Sequence, residues 1–492
     1  MFIRSIVMLV AAIALSSSDA HAELLTYESA LEAAVNANPA LVNVRYDYDS
    51  AVAGVTAAKG IFDTNLTLNT GNFRYRDTNY DQEFGIQLKN DVAGWNSGAR
   101  LSAETPTGTT LSAGTDMSVI TYSESESLFG VYENDQDTFS SGFDLSLNQD
   151  LLRGFKRSYN IQNVTRAKNT LTNAEISLRQ IEQQTLANTA DAYWGWVYAG
   201  QLQAISTDSV SVSEEALRVA TLRVESGELA PIEKTRQEAD LVQKQAEHID
   251  AEKELRTAAD TLLLLMGIAP GNDIIPATDI GDVPNLQIEV DDAVRVAMAQ
   301  NFDVALARLT RDQADQELTW AKHETLPSLT ASATYGLGDQ RDEFGAAIGG
   351  LPGDVSDASW SLGATMVVPL MNRVAKGGRD QALASLHKAE VSLLELERTT
   401  ASSVAAQVLT LNSALRKVSL ADLQFQLAQE TLAAEEALSE VGRIIQKDLL
   451  ESRNAADSAR VSAVKARIDY RLAMVALLRL QGQLTTKEAM LK

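Results

Sequence analysis

Ser328-Leu329-Thr330-Ala331-Ser332-Ala333-Thr334-Tyr335-Gly336-Leu337 alternates: Leu329, Ala331, Ala333, Tyr335 and Leu337 face one way, the serines and threonines the other. The pattern recurs in 359–368, where Trp360, Leu362, Ala364, Met366 and Val368 oppose Ser359, Ser361, Gly363 and Thr365. In 139–148, Phe139, Phe143, Leu145 and Leu147 oppose Ser140, Asp144, Ser146 and Asn148. Side chains alternate across a strand, so runs of about ten residues with one apolar and one polar face suit a membrane-spanning strand around a wet lumen. An edge-exposed soluble sandwich gives the same alternation, and the flanking sequence has to decide between them.

Both kinds of flank are helical. Residues 39–60 and 302–325 are Ala-rich with helical periodicity; Asn38-Pro39 reads as an N-cap followed by Pro at the first helical position, and Asn301 caps the second segment. After each β section comes a long proline-free run, 160 to about 222 and 372–440. Val164, Ala167, Leu171, Ala174, Leu178 and Ile181 follow alternating 3,4 spacing, a coiled-coil stripe whose alanines allow close helix approach. All nine prolines fall at joints or loops, where they leave helix interiors unbroken. Helix 160–222 would run roughly 95 Å. The segments 39–60 and 231–266 could therefore stack end to end beside it.

The chain also repeats. Ala30-Leu31, Asn38, Arg45, Ala58-Lys59 and Leu66-Thr67 recur, on adding 263, as Ala293-Val294, Asn301, Arg308, Ala321-Lys322 and Leu329-Thr330. Ala174-Glu175-Ile176-Ser177-Leu178 recurs 215 residues later as Ala389-Glu390-Val391-Ser392-Leu393, and the same offset links Gly227 to Gly442 and Gly267 to Gly482. The offsets differ by 48 (263 minus 215), so the first copy carries about that many extra residues between its blocks. The period far exceeds that of solenoid repeats and indicates a duplication. The organisation expected is a signal peptide at 1–22, a first repeat at 25–267 (helix 39–60, β section 64–149, long helices 160–266) and an equatorial linker at 268–287. A second repeat at 288–482 (helix 302–325, β section 328–369, long helices 372–480) and a tail at 483–492 follow.

Arg4, the apolar run Ile6 to Leu15 and Ala20-His21-Ala22 form the three parts of an export signal. The chain has 492 residues, 45% apolar, with no cysteine. Disulfides, thiolate metal sites, a catalytic Cys and a lipid-modified N-terminal Cys are thereby excluded. Asp and Glu number 66 against 42 Lys and Arg, a formal charge of −24, which repels phosphate backbones and argues against nucleic-acid partners.

The Asn38-Pro39 opening, Gln149-Asp150-Leu151-Leu152-Arg153-Gly154-Phe155, its counterpart Val368-Pro369-Leu370-Met371, the turn glycines Gly227 and Gly442 and the closing Leu-x-Gly triplets occur in an order, and twice over, that resembles the TolC-like outer-membrane efflux and secretion channels over 25–484. The resemblance implies an α+β membrane protein: a trimeric transmembrane β-barrel, about four strands per protomer, continued by a long antiparallel α-helical periplasmic barrel. It implies a homotrimer in outer-membrane lipid, a periplasmic adaptor (membrane fusion) protein, and an inner-membrane pump or ATP-driven transporter. The function expected is a passive exit duct for a tripartite efflux pump or type I secretion system; a stand-alone porin or adhesin is the alternative.

It also nominates residues. The turns at Gly227, Glu228, Leu229 and at Gly442, Arg443, Ile444 would be adaptor-docking tips; plain helix C-caps are the other reading. Asp448 and Glu451, six and nine residues past Gly442, match acids that ring the periplasmic gate, and their spacing of three puts them on one helix face. Glu233, six past Gly227, matches an acid used in a closing link. The basic partner of that link falls at Ile444, with Arg443 one earlier, so a bond from Arg443 to Glu233 departs from the pattern. Gate acids could equally be solvated surface charges.

The first β section holds five strand-like runs, near 64–76, 83–90, 98–104, 109–122 and 138–149. Both its ends return to helix, so an even number must span; the surplus residues are expected in a hairpin or loop around Thr105-Pro106-Thr107-Gly108. No catalytic constellation emerges. His248, His323 and His387 sit in separate helices and read as solvated; Asp77-x-Asn79-x-Asp81 lacks the Gly and Glu of a calcium loop and reads as a polar outer loop. No metal or cofactor is expected. Tyr193, Trp194, Trp196 and Tyr198 cover several helix faces and read as packing.

Overall fold

The structure is a computed structural model that describes residues 23–81, 86–125, 134–271, 274–276, 281, 283, 287–343, 357–440 and 446–486. The proposed signal peptide lies outside them. Two compact units emerge: a sheet unit of Asp47–Glu175 and Leu306–Leu394, and a helical unit of the described parts of Met1–Tyr46, Ile176–Ala305 and Glu395–Lys492. Each unit draws on both halves of the chain. The boundary falls within helices.

The sheet unit is built on six antiparallel strands: β2 (Asn65–Asp81), β3 (Ile86–Glu104), β4 (Thr109–Ser125), β5 (Asn134–Asp150), β7 (Ser328–Arg341) and β8 (Asp357–Val367), in that order across the sheet. β5 pairs with β7, so the two β sections form one surface. Leu66, Leu101, Ala113, Leu145, Tyr335 and Trp360 stand in one row of cross-strand partners. The next row is Thr67, Arg100, Gly114, Asp144, Gly336 and Ser359. Because successive residues face opposite sides, these rows give one apolar and one polar face; farther along β2, Thr70, Asn72, Arg74 and Arg76 share the face of Leu66. The apolar face is open: Leu66, Trp360 and Leu362 are 61%, 74% and 74% exposed.

The sheet holds six strands, where about four per protomer are expected to span the membrane. The runs at 83–90 and 98–104 are one strand, β3, and the first section therefore supplies four strands rather than five runs. Between the two runs stand Asp91 and Gly94, and β2 supplies what each lacks. Arg74 and Arg76 hold the Asp91 carboxylate at 2.6 and 2.7 Å, and the Phe73 ring fills the space over Gly94, where a Cβ would lie 2.5 Å from its Cζ. Residues 77–81 belong to β2 rather than to a loop.

Thr105–Gly108 is the turn from β3 to β4, with Gly108 N–H donating to the Thr105 carbonyl at 3.1 Å and Gly108 at φ 77°. Asn160 donates to the Pro106 and Gly154 carbonyls at 3.3 and 2.6 Å. The surplus hairpin thus turns at the end of the sheet where β5 passes into helix. Gly154, in the Gln149–Phe155 segment, has φ 94°, and a Cβ there would meet the Asp150 side chain; only glycine fits that bend. The chain then enters the one-turn α3 (Arg157–Asn160) and α4 (Gln162–Glu225). Arg166 of α4 clamps Glu317 of α7 (Phe302–Glu324) with two bonds of 2.6 and 2.8 Å, its guanidinium 4.9 Å from the Trp320 ring centre. His323 proves buried, at 8% exposure. Burial and the nearby Lys156 push its pKa down, so a neutral ring accepts the Gly154 N–H at 3.3 Å.

In the helical unit, α1 (Tyr27–Ala37), α4 and α5 (Pro231–Leu265) surround one core, and α6 (Val290–Gln300), α8 (Arg373–Glu440) and α9 (Gln446–Leu480) another. Tyr193, Trp194 and Trp196 are almost fully buried in the first core with Leu31, Leu186 and Leu262; Tyr198 is half-buried. Leu411, Tyr470 and Leu477 anchor the second. Each such large side chain contributes roughly 1.5–3 kcal/mol through burial. At the base of each core one asparagine does two jobs. Asn38 accepts from Ala40 N–H at 3.0 Å, capping α2 (Pro39–Lys59), and donates to the Leu265 carbonyl at 2.9 Å. Asn301 accepts from Val304 N–H at 3.0 Å and donates to the Leu480 carbonyl at 2.8 Å. The segment after α5 adds β6 (Ile274–Pro276), paired in parallel with β1 (Glu23–Leu25).

Candidate functional site

The nominated residues that can be placed cluster at one end of the helical unit. α4 ends at Glu225 and the chain reverses into α5 through Ser226–Ala230. Gly227 N–H donates to the Val224 carbonyl at 3.1 Å and Glu228 N–H to Arg223 at 2.8 Å, the two bonds that close a helix on a left-handed residue. Gly227 is that residue, at φ 78°. Among the described residues nothing lies within 4 Å of where its Cβ would stand. Ser226, Gly227 and Glu228 are exposed and Leu229 half-buried. Pro231 then opens α5 at its first position, as its fixed φ favours.

Gly442, Arg443 and Ile444 lie outside the described residues. The helix that follows them, α9, carries Asp448 in its first turn. Asp448 is half-buried and Glu451 exposed, while Leu449 between them is buried. Leu449 turns toward the other helices: with Leu229, Ala220 and Arg223 it lines a hollow of about 420 Å³. The first turn of α9 and the α4–α5 turn are therefore brought together, and the acids at 448 and 451 are on a face that does not enter this hollow.

Among the described residues, Glu233 pairs within its own helix. Its carboxylate lies 2.7 Å from Arg236 on the same helix, a spacing of three that the sequence already contained. Three further contacts hold the start of α9, and all are polar. Ser452 hydrogen-bonds Glu435 of α8, Arg453 lies 3.3 Å from Glu436, and Asp457 accepts from Ser209 of α4 at 2.8 Å. Beneath them a cavity of about 160 Å³ is lined by Ser213, Gln237, Asp240 and Asp457 among others. Gln237 Oε1 is buried there without a protein partner, a place suited to water. Farther along α9, from Ala466 to Leu477, contacts become apolar. Sequence reasoning missed these polar clamps because their partners lie on separate helices.

Among the described residues no group of three His, Cys, Asp or Glu side chains is arranged to hold a metal ion, and no helix is long and apolar enough to cross a membrane.

A family model described as outer membrane efflux protein matches residues 108–268 and 293–483. The outer membrane efflux protein BepC of Brucella suis biovar 1 (strain 1330) is 23% identical over 348 residues, 70% of this chain and 72% of BepC. Among solved structures, the fold is similar to the CmeC outer membrane channel of Campylobacter jejuni, with a TM-score of 0.66 at 13% identity over 97% of this chain and 93% of that one. The outer membrane protein VceC of Vibrio cholerae gives 0.65 at 15% identity over 93% and 96%.

Proposed function

The chain belongs to the outer membrane efflux protein family, and from that premise we propose that it is the passive exit duct of a tripartite efflux pump or type I secretion system. Three copies close one barrel in the outer membrane. Their helices continue the conduit through the periplasm, an adaptor docks on the turns at Gly227 and Gly442, and an inner-membrane pump or ATP-driven transporter supplies the energy. The duplicated unit gives each copy two similar halves, a reading supported by the paired bonds of Asn38 and Asn301.

The observation that carries this reading is the combination within one chain. A sheet with an open apolar face and a polar back suits a wall between lipid and water. The same chain holds unbroken helices of 64 and 68 residues, roughly 100 Å each. A stand-alone pore has no need of such rods.

The gate is assigned to Asp448 and Glu451. The start of α9 is held by three polar contacts and the buried Leu449, a lighter hold than the apolar core from Ala466 onward, and this favours movement at the start. Threefold symmetry stacks the six carboxylates in two rings, which attract cations. Arg443 pairing with Glu233 is not part of the proposal, because Ile444 stands where the basic residue of that link belongs. Removal of the gene from its host, followed by complementation, tests the reading. Export restored only when the adaptor is also present supports it. A monomeric protein that conducts and restores export without the adaptor would establish the porin alternative.

A further inference from the structure

The sheet has six strands and two free edges. Among the described residues, β2 pairs only with β3, and β8 only with β7. Unpaired backbone N–H and C=O groups cost several kcal/mol each in lipid, so neither edge can remain open in a membrane. Six strands are too few to close around water, since about eight leave an interior just filled by side chains. We infer that all six strands enter the membrane wall and that the β2 edge pairs with the β8 edge of a second copy. This rests on the trimeric duct proposed above, and three copies of six strands give a barrel of 18.

Four observations favour six spanning strands over four. The shortest strand has 11 residues and the others 14 or more, whereas about 9–11 cross the bilayer. The apolar row runs unbroken to both edges, from Leu66 on β2 to Trp360 on β8, and Leu68 and Leu362 extend it along the two outer strands; beyond Leu68, the same side of β2 carries Thr70, Asn72, Arg74 and Arg76. Five antiparallel pairings in succession leave β8 antiparallel to β2. A β8–β2 joint between copies therefore continues the ladder without changing its sense. Lastly, β3 is stitched to β5 across β4. Arg100 reaches over Gly114 to hold Asp144 in two bonds of 2.8 Å. A Cβ at Gly114 would lie 2.8 Å from Asp144 and 3.0 Å from Arg100, so the glycine makes the bridge possible. Peeling the β2–β3 hairpin away to leave four strands would break that bridge and expose the β4 edge.

The outer membrane efflux protein model begins its first match at residue 108, in the β3–β4 turn, yet its second match spans β7 and β8 completely. By the repeat offsets, β2 answers to β7 (Leu66-Thr67 to Leu329-Thr330), so the residues added in the first half follow β2. Barrel diameter grows roughly in proportion to strand number, and 16–18 strands leave an aqueous channel. A lumen about one and a half times as wide as four strands per copy would give admits bulkier cargo at the outer membrane.

The absence of cysteine allows a clean crosslinking test. Thr67→Cys on β2 is combined in turn with Ser359→Cys, Ser361→Cys and Thr365→Cys on β8, all on the polar face, so that the stagger between copies need not be known. A parallel set pairs Ser112→Cys on β4 with the same three. Oxidation should convert at least one β2–β8 pair into covalent dimers and trimers, with no band above three copies, while the β4–β8 set stays monomeric on denaturing gels. Crosslinks in the β4–β8 set overturn the proposal and leave the trimeric duct intact, as do uncrosslinked β2–β8 variants that still run as native trimers. Loss of the native trimer in the unsubstituted protein overturns both. Electron cryo-microscopy of that protein decides independently of how the variants fold: six strands per copy are expected, and four would end the proposal.

Discussion

Two glycine turns close the two ends of α5, and their backbones are nearly the same. Gly227 precedes the helix at φ 78° and Gly267 follows it at 73°. Gly267 N–H donates to Leu264 at 3.1 Å and Ile268 N–H to Leu263 at 2.9 Å, the bonding seen at Gly227. Their surroundings differ. A Cβ at Gly267 would lie 2.5 Å from the Ala37 carbonyl oxygen, and one at Gly482 would strike the Gln300 carbonyl, whereas at Gly227 there is open space. Conformation asks for glycine at all three. Only at 267 and 482 does packing within the chain ask for it as well. Among the described residues nothing makes a further demand at 227, and a demand made there by a partner is what would separate a docking tip from a cap.

The largest effect belongs to the packed turns. Gly482→Val or Gly267→Val combines a left-handed β-branched residue with a backbone collision, and about 3 kcal/mol or more should be lost. Thermal melting of the purified protein measures it; an unchanged midpoint would break the contrast at its strong end.

Next come the asparagines under those turns. Asn38→Ala and Asn301→Ala each remove a helix cap and leave the Leu265 or Leu480 carbonyl without its donor, at a cost of about 2 kcal/mol. Similar losses from the two substitutions would also sharpen the case that the halves are copies; a tenfold difference in the folding constants would count against it.

Gly227→Asn should change stability by about 0.5 kcal/mol at most, because Asn tolerates the left-handed conformation and its side chain meets nothing. If the turn is a docking tip, export still falls, together with adaptor co-purification. Full export with Asn at 227 would reduce the turn to a cap.

The smallest structural effect is expected at the neighbouring acids. Asp448→Ala with Glu451→Ala should leave the melting temperature within a degree or two, surface charges contributing little, but weaken block by divalent cations from the periplasmic side in planar bilayers. Block and selectivity equal to the parent's would remove both residues from the gate.

These contrasts mark how far the residues alone could be read. Asn38-Pro39 announced a helix start because capping is local: donor and acceptor lie two residues apart. The strand faces were equally plain, since alternation follows from the pleat. The burial of Tyr193 and Trp196 could be inferred from their size and helical setting. β3 could not be read as one strand, because what Asp91 and Gly94 lack between its two runs arrives with Arg74 and Phe73 from β2. His323 looked solvated because the Gly154 N–H that it accepts is 169 residues away in the chain. Glu233 has a partner three residues on, Arg236, a spacing that could be read from the sequence.

By itself, then, the sequence determined which stretches are rods and which are strands, which strand face is apolar, and where the glycine turns fall. These depend on steric and hydrogen-bonding preferences acting over a few residues. Only the tertiary structure decided that six strands make one sheet, that the added hairpin turns beside Gly154, and that Gly267 and Gly482 are crowded while Gly227 is free. Those facts depend on which backbone lies across the gap. A residue's own neighbours in the chain carry no record of that.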